Sequence, residues 1–230
     1  MGTMKDVELF ENERAIDYDR FVSKWIPGYS FLIQIIPNLL TRLAHMPCDR
    51  LLVAGCGTGN EIVALKKSGF GGTILGIDPS PDMIRQAREK TSDLSKTELF
   101  CGVLDDLPPS KTYDAATLIL VMHFLKDNGA KQSLLEEIAA RLNPNAPFIL
   151  VDIFGDKSQM REQIDVLRNL LPEDIDPEQV EERLLRIQEH IQYISEDRLF
   201  ELFKVAGFEP PVRFFHSAVY GGWYTRKRAV

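Results

Sequence analysis

Short apolar runs alternate with stretches of helical periodicity along most of the chain. The runs fall at residues 50–54, 73–77, 98–103, 115–121 and 147–153, and apolar side chains at helix spacing fill most of the gaps. This alternation is the sequence form of a parallel sheet covered on both faces by helices. Two helices precede the first strand, at about 12–25 and 28–45, divided by Pro27-Gly28. After the fifth strand comes a charged segment, DKSQMREQIDVLRNLLPEDIDPEQVEERLLRIQEHIQYI. It sets Ile164, Val166, Leu167, Leu170 and Leu171 on a helical stripe and breaks near Pro172 and Pro177. A helix at about 195–205, a turn at Ala206-Gly207 and two β-rich stretches, PVRFFHSA and YGGWYTRK, follow. The short turn between those stretches predicts an antiparallel hairpin. The pattern therefore predicts one α/β unit over residues 1–230: a helical cap (1–46), a ligand-binding core (47–156), a helical lid insertion (157–192), and a C-terminal helix with strands (193–230).

Composition narrows the class. With 230 residues, 44% hydrophobic and 27% charged, the chain reads as a single globular domain. No apolar run approaches the roughly 20 residues a membrane helix requires; the longest candidate, FLIQIIPNLL at 31–40, contains Gln34 and Pro37. The opening MGTMKDVELFENER is acidic where a signal peptide is basic and then apolar, which sets the expected location as cytoplasmic. Cys48, Cys56 and Cys101 form no C-x-x-C pair and lie at no metal-ligand spacing from histidine, so neither a disulfide framework nor a metal site is expected. A net charge of −7 argues against a broad nucleic-acid surface, and Arg226-Lys227-Arg228 reads as a solvated tail.

The chemistry begins at LLVAGCGTGNE, residues 51–61. A glycine-rich turn between a parallel strand and a helix lets a ligand approach the backbone and leaves helix N–H groups pointing toward it. Gly55, Gly57 and Gly59 give G-x-G-x-G, not the G-x-G-x-x-G of dinucleotide enzymes, which disfavours a nicotinamide cofactor. About 20 residues on, the strand TILGID ends at Asp78, where an acid can accept hydrogen bonds from both hydroxyls of a ribose. Loop and acid together imply an adenosine-containing ligand. Capping of the helix that starts near Pro81 is the competing role for Asp78.

AGCGTG, GIDPS with Met83, CGVLDDLP and RLNPNAPFILVD, in that order, resemble the motifs of class I S-adenosylmethionine-dependent methyltransferases, over roughly residues 12–228. The resemblance implies a Rossmann-like three-layer sandwich: a mostly parallel seven-stranded sheet with an antiparallel C-terminal hairpin, N-terminal helices and a helical insertion after strand 5. It also implies S-adenosyl-L-methionine as cofactor. Carried over residue by residue, Gly55, Cys56 and Gly57 pass under the methionine and ribose, Asp78 holds the ribose, and Pro79 and Met83 border the adenine. Val103 stands where the family has an acid for the adenine amino group. The neighbouring Leu104 N–H can still serve a ring nitrogen, with Asp105 or Asp106 as replacement acids. Val53 stands where many members have an acid two residues before the first glycine, which leaves the cofactor's amino group to backbone carbonyls near Gly55 and Ile119.

IPGYSFLI, VMHFL, LNP and AGF more narrowly resemble the carboxy-S-adenosylmethionine synthase of tRNA wobble-uridine modification. That resemblance implies a cofactor contact for Tyr29. Leu184 stands where the synthase has an arginine for the added carboxylate, and Arg183 is displaced by one residue, about 100° on a helix. The expected activity is therefore ordinary methyl transfer by in-line displacement, with the synthase-like reaction as the alternative.

Transfer from a sulfonium needs a positioned nucleophile more than a strong acid. Where the acceptor must lose a proton, His123, just past the fourth strand, is the candidate base, with packing or capping as its other role. His190 and His216 are weaker candidates, and His45 is expected to be structural. Tyr18, Trp25 and Tyr29 are candidates for an aromatic lid. VMHFL lacks the Asn/Asp-Pro-Pro-aromatic signature of many amino-directed enzymes, so a small-molecule acceptor is expected, and a homodimer stays open. Two other classes stand beside this: a nicotinamide oxidoreductase and a non-catalytic cofactor-binding module.

Overall fold

The structure is a computed structural model and describes residues 18–43, 48–108 and 112–229. The expected helix start at residue 12, the end of the second helix, and His45 lie outside the described residues. Two helices come first, α1 (Tyr18–Trp25) and α2 (Tyr29–Leu43). The core then runs β1 (Arg50–Ala54), α3 (Asn60–Lys67), β2 (Thr73–Asp78), α4 (Pro81–Thr91), β3 (Thr97–Cys101), β4 (Ala115–Ile119), α5 (Ala130–Ala140) and β5 (Pro147–Ile153). The insertion forms α6 (Met160–Leu170) and α7 (Pro177–Glu189), and α8 (Glu196–Val205), β6 (Val212–Ser217) and β7 (Tyr220–Arg226) follow.

All seven strands join one sheet in the order β3-β2-β1-β4-β5-β7-β6. β1 to β5 pair in parallel, and β7 enters antiparallel between β5 and β6. This is the expected Rossmann-like seven-stranded arrangement. Because the chain moves outward in both directions from the β1/β4 pair, the strand order reverses there, and a crevice opens at the strands' C-terminal ends.

The alternation of side chains across the sheet produces two cores. Leu52, Ala54, Leu118 and Leu150 face Leu134 and Ile138 of α5 and Leu202 and Phe203 of α8. Leu51, Val53, Ile149 and Val151 face the other way, onto Leu32 and Ile36 of α2, Ile62 and Leu65 of α3, and Leu184 and Ile187 of the insertion. Every residue of β5 is buried, which is why that strand reads as an apolar run interrupted only by Asp152.

Two strands stop short of their apolar runs. The run at 115–121 carries β4 only to Ile119, because Leu120 turns into the left-handed region (φ 59°) while its N–H still donates to the Val151 carbonyl at 2.8 Å. Met122–Phe124 then form a single 3-10 turn. At 98–103 the strand begins and ends earlier, and Leu104–Asp106 form a second 3-10 turn. The insertion breaks where its prolines predict, with Asp176 capping α7 ahead of Pro177.

Candidate cofactor site

β1 delivers the chain into the glycine loop, and α3 carries it away. Gly55 (φ 69°) and Gly57 (φ 50°) both lie in the left-handed region. A Cβ on Gly55 would stand 2.2 Å from Val121 Cγ2, so the loop presses against the chain leaving β4. At Gly57 the nearest atom to an added Cβ is Tyr18 Cε1 at 3.8 Å, so a side chain there would occupy the space between loop and α1. The N–H groups of Gly55 and Cys56 donate to the Ile77 carbonyl at 2.8 and 3.0 Å, and that of Gly59 to Cys56 at 2.9 Å. The Gly57 N–H donates to Asp78 Oδ2 at 2.9 Å. These four amides, all ahead of the helix, are thus spent within the protein, and this part of the loop offers close backbone approach.

Asp78 sits at the end of β2. Its Oδ1 accepts from the Ser80 N–H at 2.9 Å, and the side chain of Ser80, not Asp78, caps α4 by accepting from the Met83 N–H at 3.3 Å. The capping role weighed for Asp78 belongs to Ser80. Each Asp78 oxygen retains a further lone pair for a ligand hydroxyl. Burial lifts its carboxyl above the usual range, opposed by the N–H groups of Ser80 and Gly57. Pro79 follows, half-buried, and Met83 is buried in the first turn of α4. Val103 donates its N–H to Asp106 Oδ2 at 3.0 Å, and buried Leu104 opens the 3-10 turn. Asp106 is thus engaged in its own turn through Oδ2, and Asp105 lies beside Glu137.

A small cleft, open to solvent on one side, lies where the loop meets β4. Gly55, Cys56 and Gly57 line one side, Ile119 and Leu120 another, and Tyr18, Tyr29 and Ile33 close it from the N-terminal helices. Of the residues named from sequence, it gathers Tyr29, Gly55, Cys56, Gly57 and Ile119, while Asp78 is tied to its edge through Gly57. Trp25 stays in the core, stacked with Phe21 at 5.8 Å between ring centroids. Burial pushes the Tyr29 hydroxyl up to about 12 and the Cys56 thiol well up, so both are neutral at physiological pH.

A polar cluster fastens α1 over the loop. Asp19 Oδ1 accepts from Thr58 Oγ1 at 2.6 Å and Asn60 Nδ2 at 2.8 Å, and Asp19 Oδ2 pairs with Lys90 of α4. Lys90 Nζ also donates to Thr58 Oγ1 at 2.8 Å and Asn60 Oδ1 at 2.7 Å. Partial burial raises the Asp19 carboxyl, but these partners outweigh it and hold it low.

His123 does not line this cavity. It is 6% exposed, and its Nδ1 lies 2.5 Å from Asp152 Oδ1. Asp152 also accepts from the N–H groups of Met122 at 2.6 Å and Ile153 at 2.7 Å. Burial raises its carboxyl, but His123 and Lys131 outweigh this and hold it low. The 3-10 turn at 122–124 is thereby pinned to β5. His190 is exposed at the end of α7, and His216 lines a separate cavity beside Glu196 and Arg213. The insertion turns Leu184 into the core at 2% exposure, whereas the Arg183 guanidinium lies 4.6 Å over the Phe21 ring, with its buried Nε lacking a hydrogen-bond partner.

Sequence reasoning missed Ile33, Thr58, Asn60, Glu61 and Leu120 as lining residues. Glu61 alone carried a signal: it stands four residues before Leu65, on the inward stripe of α3, where an acid is out of place.

The glycine loop at the end of β1, the acid at the end of β2 and the cleft under Tyr18 lie together at the C-terminal edge of the sheet. A carboxy-S-adenosyl-L-methionine synthase of Sodalis glossinidius (strain morsitans) is 28% identical over 155 residues, 66% of this chain and 62% of that one. The match thus spans about three-fifths of the relative's length. The solved structure of magnesium protoporphyrin IX methyltransferase from Synechocystis PCC 6803 with bound SAH covers 95% of this chain and 96% of its own, at TM-score 0.68 and 15% identity. Human N-acetylserotonin methyltransferase in complex with SAM covers 94% of this chain and 56% of its own, at TM-score 0.64 and 18% identity. Those two likenesses are of fold. The profile of the methyltransferase domain family matches residues 25–210, most of the chain; the chain belongs to that family, in its class I, S-adenosylmethionine-dependent group.

Proposed function

We propose that the protein transfers a methyl group from S-adenosyl-L-methionine to a small-molecule acceptor. The observation that carries this is the cavity at the ends of β1 and β4, where Gly55, Cys56, Gly57, Tyr29 and Ile119 converge beside Asp78. When bound, the cofactor supplies an activated methyl group to an in-line nucleophile. The chain's own part is positional. Asp78 holds the ribose hydroxyls; Pro79, Met83, Val103 and the Leu104 N–H border the adenine; and the glycine loop carries the methionine half. Tyr18 and Tyr29 keep water from that end.

For an acceptor that must lose a proton, His123 is the proposed base. Asp152 fixes the proton of the neutral ring on Nδ1, which leaves Nε2 as the nitrogen able to take another. The insertion over 157–192 is proposed to shape the acceptor side. Titration calorimetry with S-adenosylmethionine, S-adenosylhomocysteine and NADH tests the cofactor, followed by an acceptor screen for turnover. Silence toward both sulfur nucleosides, or preference for NADH, would sink this reading. Binding without turnover in a broad screen would favour a non-catalytic module.

A second reading, handling of a carboxylated sulfonium, is favoured by Arg183. Its buried, unpartnered Nε lies on a side chain that shares the electrostatic surroundings of Tyr18 and Tyr220. Tighter binding of the carboxylated cofactor than of S-adenosylmethionine, with the difference lost in Arg183→Met, would establish it. Equal affinities would remove it.

A further inference from the structure

Glu61 is the one acidic side chain lining the cavity. It is 7% exposed; the Thr117 hydroxyl is the polar group beside its carboxyl, and among the described residues no cation pairs with it. A buried carboxyl with no cation beside it is costly to ionise, and the fold supplies none. Its surroundings locate it. Thr117 of β4, whose buried hydroxyl adjoins the carboxyl, sits in register beside Val53 of β1. The carboxyl from α3 thus reaches the face of the sheet at which Val53 leaves no acid. The cavity walls next to it are Tyr29, Cys56 and Ile119, none of which supplies a positive charge.

We propose that Glu61 is the carboxylate that receives the α-ammonium group of the cofactor's methionine half, with the acid supplied from the helix after the glycine loop in place of the strand position held by Val53. The inference rests on the cofactor reading above. It replaces the expectation that backbone carbonyls near Gly55 and Ile119 serve the amino group alone.

Protonation offers a second handle on the same geometry. Burial pushes the Glu61 carboxyl up to about 7, so near neutral pH it is about half protonated in the free protein. An ammonium brought against it favours the ionised form, and the proton leaves to solvent. Of the groups that face it, Tyr29 and Cys56 are held neutral by burial, and Thr117 does not titrate.

The test compares S-adenosylhomocysteine with its deamino analogue, S-adenosyl-4-thiobutyrate, by calorimetry in phosphate and Tris buffers, on the unaltered protein and on Glu61→Gln. The expected result is a preference of about tenfold or more for the amino compound. It comes with release of roughly half a proton per site at pH 7, and both disappear in Glu61→Gln. Equal binding of the two nucleosides by the unaltered protein would overturn the assignment without any variant, and would leave the cofactor reading intact. A preference that survives in Glu61→Gln would overturn it equally. Failure to bind either nucleoside would bring down the cofactor reading as well.

Discussion

Replacing Asp78 by alanine isolates the ribose contact. Two hydroxyl-to-carboxylate hydrogen bonds at about 1.5 kcal/mol each sum to about 3 kcal/mol, a rise of roughly 150-fold in Kd. The same substitution strips acceptors from the Gly57 and Ser80 N–H groups, both held at 2.9 Å. Asp78 is only partly buried, so water can reach them, and the cost to the fold should stay near 1–2 kcal/mol. Asp78→Asn should rescue poorly. Its oxygen can serve one amide, but its NH₂ then faces the other, donor against donor. Calorimetry with S-adenosylhomocysteine on both variants, with a melting curve for each, reads the two effects separately. A folded Asp78→Ala protein whose Kd stays within about fivefold of the unaltered one would refute the ribose assignment, given that two charged hydrogen bonds cannot be so weak together. Full affinity in Asp78→Asn would refute the geometry.

Glu61→Gln should also change stability with a defined sign. Burial pushes the folded carboxyl up to about 7 against 4.5 for a free one, so the folded state binds the extra proton between these values and stability falls as pH rises through that window. The variant should therefore melt higher than the parent at pH 8, by up to about 3 kcal/mol in free energy, and about equally at pH 4.5; a higher melting point at both pH values would contradict this. His123→Ala should lower turnover with cofactor affinity nearly unchanged, whereas equal losses in kinetics and calorimetry would assign His123 to packing against Asp152. Gly55→Ala places a methyl 2.2 Å from Val121 in a left-handed backbone, and should cost at least about 2 kcal/mol in denaturant unfolding. Val121→Ala in the same chain should return part of it, and no return would mean that backbone strain dominates.

Much of this protein was determined by local sequence. β1 and β5 begin and end where their apolar runs do, because strands buried on both faces are built mainly of apolar residues, Asp152 being admitted to β5 only with its hydrogen bonds to His123, Met122 and Ile153. The order of glycine loop, acid and hairpin fixed the fold class, since each carries its own backbone chemistry. β4 was read too long because hydrophobicity does not report the left-handed turn at Leu120, and β3 because it does not report the approach to the 3-10 turn at Leu104. The site divides in the same way. Gly55, Gly57 and Asp78 were legible, since turn and strand-end chemistry is local. What caps α4, what His123 bonds to, and that Arg183 rather than Leu184 extends toward the N-terminal helices depended on which elements meet in space. Glu61 shows the difference most clearly: sequence gives an acid on an apolar stripe, and only the packing of α3 against β4 beside Val53 puts its carboxyl in the cavity. Periodicity specifies which face a side chain takes, but the residue opposite comes from a distant part of the chain, and that pairing is decided by tertiary structure.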